Sequence, residues 1–309
     1  MSQNALLGAL ASLSCALTWA IASLVFAAAL SQTKATAAGL GVVKAVIATP
    51  LLLLVGVVSG AGLPVVGEQL STLALTSVLG LLVADTAWLQ SLARLGVARG
   101  VLLIPLVPVT TAVLARIFLD ERLTTLAVGG GALTLVGVVL ASRAKNDSAT
   151  GEARTTSFTG TGVALGAAYV LSQAGSNVLL KSVLVGNEAL HVASMRLLLG
   201  IPMLVLLVVG HSLWQGRGVG GGLAGIMPLL SWDRLPRVAV AAIIGTMGGI
   251  WLGSIGTQRL PVAVATTLAA TTPVWALVLL RLRGESVQGR AAVGAIIAIV
   301  GVGLLATGR

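Results

Sequence analysis

Charged residues are scarce in this chain. Lys, Arg, Asp and Glu together make up 9% of its 309 residues, hydrophobic types make up 57%, and the mean hydropathy is +1.04. Runs of roughly 20 apolar residues follow one another with hardly a charge inside them, and this length matches the hydrocarbon core of a bilayer. The composition therefore excludes a water-soluble domain and predicts an all-α protein that crosses a membrane several times.

Acidic residues are rarer than basic ones, 9 against 19, which gives a formal net charge of +10. Most of the basic residues fall in the short segments between the apolar runs, so they indicate membrane orientation and not nucleic-acid binding. The start of the sequence, MSQNALLG, has no basic n-region of a cleavable signal. We therefore expect the first apolar run to be a membrane helix.

The residue types that most catalytic sites need are also scarce in the apolar runs. Cys15 is the one cysteine, which rules out an internal disulfide. His191 and His211 are the only histidines and neither lies mid-span, so no Ser/His or Asp/Asp pair is available for an intramembrane protease. No glycine-rich phosphate loop is present either. We expect neither an enzyme nor a protein with a cofactor or metal.

Ten apolar segments have the length of a membrane span, five on either side of a polar stretch. They cover 6–30, 38–58, 70–92, 100–119, 125–141, 160–184, 192–209, 238–257, 262–282 and 291–307. The polar stretch 142–159 predicts a solvated linker between a first unit, 1–141, and a second unit, 160–309. The long connection 210–237 is rich in glycine, which favours a flexible loop over a gate, although its apolar residues could lie at the membrane interface.

The two units read as one segment written twice. Lys44 in the second span corresponds to Arg196 in the seventh span at an offset of 152 residues. The stretch PVTTAVLARIFLDERL in the fourth span likewise corresponds to PVWALVLLRLRGESV in the ninth. Two copies with an odd number of spans must lie in opposite orientations, an arrangement that frames a central site in many transporters. The predicted fold is an all-α membrane protein of ten transmembrane helices, built as two inverted five-helix repeats.

Two short motifs make the chain similar to a known family. Asp120-Glu121 and Gly284-Glu285 each close the fourth helix of a unit, and a basic residue lies near the start of each second helix. In this order and in duplicate they resemble the EamA family of the drug/metabolite transporter superfamily, over nearly the whole chain. The resemblance implies export or exchange of small metabolites, often amino acids, through a cavity between the repeats. Because neither the first nor the sixth span contains Asp or Glu, antiport of cationic drugs is disfavoured.

Lys44, Asp85 and Arg196 are the charged residues that lie more than three positions from either end of a predicted span. In the hydrocarbon region each is a functional candidate unless it is paired or hydrated. Lys44 and Asp85 lie ~10 Å below the same membrane face on antiparallel neighbours, at a rise of about 1.5 Å per residue, so we expect them to pair. That pair either ties two helices together or lets Asp85 exchange Lys44 for a substrate ammonium or a proton. Arg196 has no such acid, since the position of the second unit that matches Asp85 falls near 247–249, where no Asp or Glu lies. It either clamps a carboxylate or phosphate, or extends to the membrane surface.

Large aromatic and polar side chains complete the candidate substrate site. Trp19 and Trp251 lie near the middle of their spans, where the preference of tryptophan for the interface does not explain them. Broad, rigid surfaces beside a few polar groups are what line ligand cavities. The other candidates are Trp88, Gln173, Asn177, Thr271 and Trp275.

We interpret the sequence as a secondary transporter, an exporter or exchanger of small polar, amino-acid-like metabolites that works by alternating access. Its expected location is a cell membrane of the bacterial inner-membrane type, and its expected partners are the substrate, the bilayer and a proton or counter-solute, without nucleic acid. The alternative is a structural or regulatory membrane subunit that moves no solute. Charge counting favours an external N-terminus, whereas the family resemblance favours cytoplasmic termini; both place the two termini on one side.

Overall fold

The computed structural model describes residues 3–59, 67–95, 103, 106–148, 160–282, 284 and 289–307. Within these ranges the chain is helical and contains no β-strand.

The described helices of the first half follow one another in chain order. They are α1 (Gln3–Ser31), α2 (Ala37–Val58), α3 (Leu70–Ser77), α4 (Asp85–Leu95), α5 (Leu106–Phe118) and α6 (Thr125–Ser148). A π-helical segment, Val78–Ala84, joins α3 to α4, so that residues 67–95 form one continuous rod. We call it the first π rod.

The second half repeats this order with two further described helices. Its helices are α7 (Gly160–Leu184), α8 (Ala189–Trp214), α9 (Gly218–Ala224), α10 (Leu235–Ala241), α11 (Gly249–Arg259), α12 (Val262–Ala269), α13 (Thr272–Leu282) and α14 (Gly289–Thr307). A π-helical segment, Ala242–Gly248, joins α10 to α11 and gives the second π rod, 235–259. One is α9, which lies in the connection between α8 and this rod. The other is α12, whose matching positions, 98–105, lie outside the described ranges apart from residue 103.

Several helices are long and apolar enough to cross a membrane. Within the described ranges, seven segments meet both conditions: Gln3–Leu30, Ala38–Val58, Gly67–Trp88, Gly160–Leu184, Ala189–Trp214, Leu235–Arg259 and Val262–Leu282. The other predicted spans correspond to shorter apolar helices, Leu106–Phe118, Thr125–Leu140 and Gly289–Leu304. A helical, multi-pass membrane protein is thereby confirmed, while a total of ten spans stays a prediction.

Two predicted connections differ in the structure. Helix α6 continues to Ser148, so the first part of the predicted linker 142–159 is helical, and residues 149–159 lie outside the described ranges. Connection 210–237 is folded and not an open loop. It contains α9 and a 3-10 turn at Met227–Leu229, and Leu229 is fully buried against side chains of α1, α2 and α10. Ile226 and Leu229 anchor this connection to the protein, which is why it is ordered. Other large apolar side chains of the connection are exposed, among them Val219, Leu223, Met227 and Trp232.

Matching contacts relate the two halves at the π segments, which are 164 residues apart. A Cβ atom added to Gly80, in the first π rod, would meet the Ser176 hydroxyl of α7 at 2.6 Å. A Cβ added to Gly245, in the second, would meet the side chain of Ala22 in α1. Positions 22 and 176 correspond between the halves at an offset of 154. Each π segment therefore packs closely on the first long helix of the opposite half.

The last helices of the two halves, α6 and α14, pack backbone to backbone. A Cβ on Gly137 would lie 2.7 Å from the Cα atom of Ala298, and a Cβ on Gly301 would lie 2.6 Å from the hydroxyl of Thr134. A shift of 164 residues converts one contact into the other. Small residues allow this approach in lipid, where no hydrophobic force drives helices together.

Candidate substrate site

Residues of both halves line a central cavity of about 560 Å³. The lining comes from α1, α2, α5, α7, α8, α12, α13 and the two π rods, and no described residue of α6 or α14 belongs to it. Its volume is in the range of pockets that hold small molecules, roughly 300–1,000 Å³.

Helix α1 presents one continuous face to this cavity. Ser12, Cys15, Trp19, Ser23 and Phe26 are spaced by three or four residues, so they lie above one another on one side of the helix. Trp19 was predicted from its mid-span position. The serines, Cys15 and Phe26 were not named as site residues, although the helical period starting from Trp19 contains them.

Helix α7 presents the facing stripe. Tyr169, Gln173 and Asn177 are each one turn apart and all line the cavity. The Gln173 amide donates a hydrogen bond to the Asn177 side-chain oxygen at 3.1 Å. Tyr169, which the sequence analysis missed, packs against Trp88 with the rings tilted by 42° and their centroids 4.9 Å apart. Its position one turn before Gln173 is the signal that would have identified it.

Asp85 begins α4, immediately after the first π segment, and its side chain is exposed to the cavity. Lys44 and Arg196 both interact with it electrostatically. The prediction that Asp85 and Lys44 form a direct ion pair is wrong. No distance between the Lys44 ammonium nitrogen and an Asp85 carboxylate oxygen is within 4.0 Å. The Lys44 ammonium lies 5.7 Å from the centroid of the Phe26 ring. Equal depth on two helices does not determine which way their side chains face, and here they border a cavity.

Arg196 is 8% exposed and lies inside the bundle, so the alternative in which it extends to the membrane surface is wrong. Its Nη2 atom donates to the Ser176 hydroxyl at 3.0 Å. Its Nε atom is buried and has no hydrogen-bond partner among the described residues. Gly80 leaves the room that the guanidinium occupies, because a Cβ there would overlap Nη2. Arg196 interacts electrostatically with Asp85, which belongs to the first half of the chain.

The second half has no acid at the position that matches Asp85. An offset of 164 leads from Asp85 to Gly249, which starts α11 after the second π segment. The Trp19 indole lies on Gly249, since a Cβ there would overlap the ring and come within 3.3 Å of its Cε2 atom. The cavity therefore has the Asp85 carboxylate after the first π segment, and the Trp19 indole covers the matching position after the second.

Seven of the ten predicted site residues line the cavity, and three are absent from its described lining. Trp251 packs against the cluster of α2 and α8 residues that includes Leu52 and Leu197. Thr271 is buried and its hydroxyl donates to the Leu268 carbonyl at 2.6 Å. Trp275 is half-buried. The part that each of the ten plays in binding stays a prediction.

A hydrogen-bonded cluster, which we call the latch, lies beside Leu180 and Thr257 of the cavity lining. Lys181, on α7, donates from its ammonium to the carbonyls of Thr257, Gln258 and Leu260 at 2.8, 3.1 and 2.8 Å. These carbonyls end α11, where the helix dipole favours a cation. The latch therefore fastens the second π rod to α7.

Glu121 supplies the other half of the latch. Its two carboxylate oxygens accept the Val262 N–H at 2.8 and 3.1 Å, at the start of α12. Asp120, which precedes it, has a φ of 51°, and Gly284 at the matching position has a φ of 82°. The left-handed turn favours glycine, which accounts for the paired motifs Asp-Glu and Gly-Glu. Burial raises the pKa of Glu121 despite the opposing effects of the Val262 hydrogen bond and Lys181.

Comparisons with known proteins agree with this architecture. The model of the EamA-like transporter family matches residues 6–143 and 160–307. A solved structure titled "Crystal structure of protein" has the same fold, with a TM-score of 0.72 and 17% identity over 96% of this chain and 94% of that one. No curated protein matches. Since the two family matches include most of the sequence, the chain belongs to the EamA-like transporter family.

Proposed function

We propose that this protein is a secondary transporter of small, polar, amino-acid-like metabolites, and that the central cavity is its substrate site. One observation carries the proposal: Asp85 is exposed to the cavity interior, and a buried arginine, Arg196, reaches the same cavity with one N–H unpartnered. A carboxylate can bind an ammonium, and a guanidinium can bind a carboxylate through two parallel hydrogen bonds. An amino acid carries both groups.

Alternating access would use the latch as one of its two gates. The latch fastens α11 and α12 to α7 and to the turn that carries Glu121, so opening this end requires the Lys181 and Glu121 hydrogen bonds to break. The π segments flank the cavity midway along their rods, and π-helical stretches often occur at functional sites. We propose that the rods bend there as substrate is exported or exchanged.

A thermal-shift screen on detergent-purified protein tests the substrate class. A ligand that binds the folded state raises its melting temperature, and we expect α-amino acids to do so. Stabilisation by hydrophobic cations alone would overturn the proposal. Counterflow of the stabilising ligand in proteoliposomes would then separate a transporter from a subunit that binds the ligand without moving it.

Arg196→Lys tests the carboxylate-binding role separately. Lysine keeps the positive charge but cannot offer two parallel donors. We expect ligand affinity measured by calorimetry to fall by about 1–3 kcal/mol, the order of one charge-assisted hydrogen bond, with little change in melting temperature. Unchanged affinity would remove Arg196 from the substrate site.

A further inference from the structure

The charged groups of the cavity do not balance. Among its described lining residues, two carry a positive charge, Lys44 and Arg196, and one carries a negative charge, Asp85. The lining therefore has a net charge of +1 with Asp85 ionised, and protonation of Asp85 would only raise it to +2. In the latch, Glu121 and Lys181 offset each other and do not change this excess.

Neither cation is neutralised by a contact. Arg196 is held by the neutral hydroxyl of Ser176, and its Nε atom is unpartnered. Lys44 lies over the Phe26 ring at 5.7 Å, which is a weaker interaction than an ion pair. An unbalanced charge inside a bundle is costly, because the surroundings solvate it less well than water does. A ligand that brings the opposite charge removes this cost on binding.

We propose that the substrate has a net negative charge and is an acidic amino acid; this rests on the proposed function and refines its substrate class. The ammonium binds Asp85, one carboxylate binds Arg196, and the second carboxylate binds Lys44. Ligand and lining together then hold three positive and three negative charges. Each ionised side chain of the cavity gains a partner of opposite sign.

Other ligand classes leave part of this arrangement without a partner. A neutral amino acid satisfies Asp85 and Arg196 but leaves Lys44 unbalanced. A dicarboxylate without an amine provides nothing for Asp85 and changes the total charge to −1. The acidic amino acid is the class that satisfies all three groups.

Two isosteric pairs of ligands test the charge requirement, glutamate against glutamine and aspartate against asparagine. Each pair differs by one charge at nearly equal volume, so the ratio of the two affinities isolates that charge. We expect calorimetry on the wild-type protein at pH 7 to show the acid bound at least ~10-fold more tightly than its amide, the order that one charge-assisted hydrogen bond gives. Glutarate should bind more weakly than glutamate, because it lacks the ammonium.

Variants then identify the residue responsible. Lys44→Met removes the charge at similar side-chain length and should bring the ratio of acid to amide affinity to about 1, whereas Lys44→Arg keeps the charge and should keep the preference. Lys34→Met is the matched control, since it removes an exposed lysine from the turn between α1 and α2. Its ratio should equal that of the wild type.

The outcomes separate the two proposals. Equal affinity for acid and amide in the wild type would overturn the net-anion inference and leave the amino-acid transporter standing. Failure of all four amino acids to bind, with hydrophobic cations stabilising instead, would overturn both. Glutarate bound as tightly as glutamate would refute the role of Asp85, and a preference retained in Lys44→Met would refute the role of Lys44. If Lys44→Met does not fold, the wild-type ratios still decide whether the substrate is a net anion.

Discussion

Replacing Lys181 by methionine should open one end of the cavity. The lysine ammonium donates to three backbone carbonyls, those of Thr257, Gln258 and Leu260, at 2.8–3.1 Å. A hydrogen bond to a charged group contributes about 1.5–3 kcal/mol when buried, but Lys181 is half-buried and the freed carbonyls can bind water once this end opens. We therefore assign about 2 kcal/mol to the set, which corresponds to a roughly 30-fold larger open population.

Cys15 provides a native reporter for this change. It is the only cysteine in the sequence, is 1% exposed and lines the cavity. When opening and closing are fast relative to reaction, the labelling rate follows the population of the open form. A water-soluble thiol reagent should therefore modify Lys181→Met about 30-fold faster than the wild type at one fixed pH.

Two controls make the labelling result specific. Lys34→Met removes a lysine outside the latch and should label at the wild-type rate, and Cys15→Ala supplies the unlabelled baseline. An unchanged Cys15 rate in folded Lys181→Met would refute the assignment of the latch as a gate, even if the melting temperature fell.

Three further substitutions test neighbouring parts of the argument. Gly80→Ala puts a methyl group 2.6 Å from the Ser176 hydroxyl and against the Arg196 guanidinium. It should therefore lower the free energy of unfolding by about 1–3 kcal/mol and weaken ligand binding. Gly175→Ala, whose added methyl group has no neighbour nearer than 3.8 Å, should do neither. Gly137→Ala pushes on backbone in α14 and should lower the melting temperature, whereas Gly129→Ala has open space and should not. Burial raises the pKa of Glu121 above 4.5, so the folded chain holds that proton more tightly than the unfolded chain. Stability from this group is thus fully present below pH 4.5 and is lost as the pH rises through the raised pKa; a pH series of melting temperatures should show this loss in the wild type and not in Glu121→Gln.

Much of the fold follows from hydropathy and internal repetition. Uninterrupted apolar runs locate the helices because a backbone in lipid must satisfy its hydrogen bonds within the helix. Boundaries were less predictable where a polar sequence still forms helix, as at the end of α6, which reaches Ser148. The order of connection 210–237 depends on contacts with α1, α2 and α10, and the local abundance of glycine does not reveal those contacts.

The charged members of the site were predictable because an ionisable residue in a span needs a reason to be there. Their contacts were not, since the sequence gives depth along a helix but not the direction of each side chain. Lys44 consequently lies over Phe26 and not against Asp85, and Arg196 is held by Ser176. Trp251 illustrates the reverse case, because its mid-span position reflects packing between helices.

The contact between α6 and α14 has the form that a symmetric dimer shows, in which each partner offers the other the same surface. In this chain the Thr134–Gly301 and Gly137–Ala298 contacts are exchanged by a shift of 164 residues. A dimer of identical subunits must carry every substitution twice, once on each side of its axis. A chain that contains both copies is free of that constraint, so the two halves can differ at matching positions. Asp85 and Gly249 differ in this way, and the cavity therefore has a carboxylate from one half only, which two equal halves could not provide.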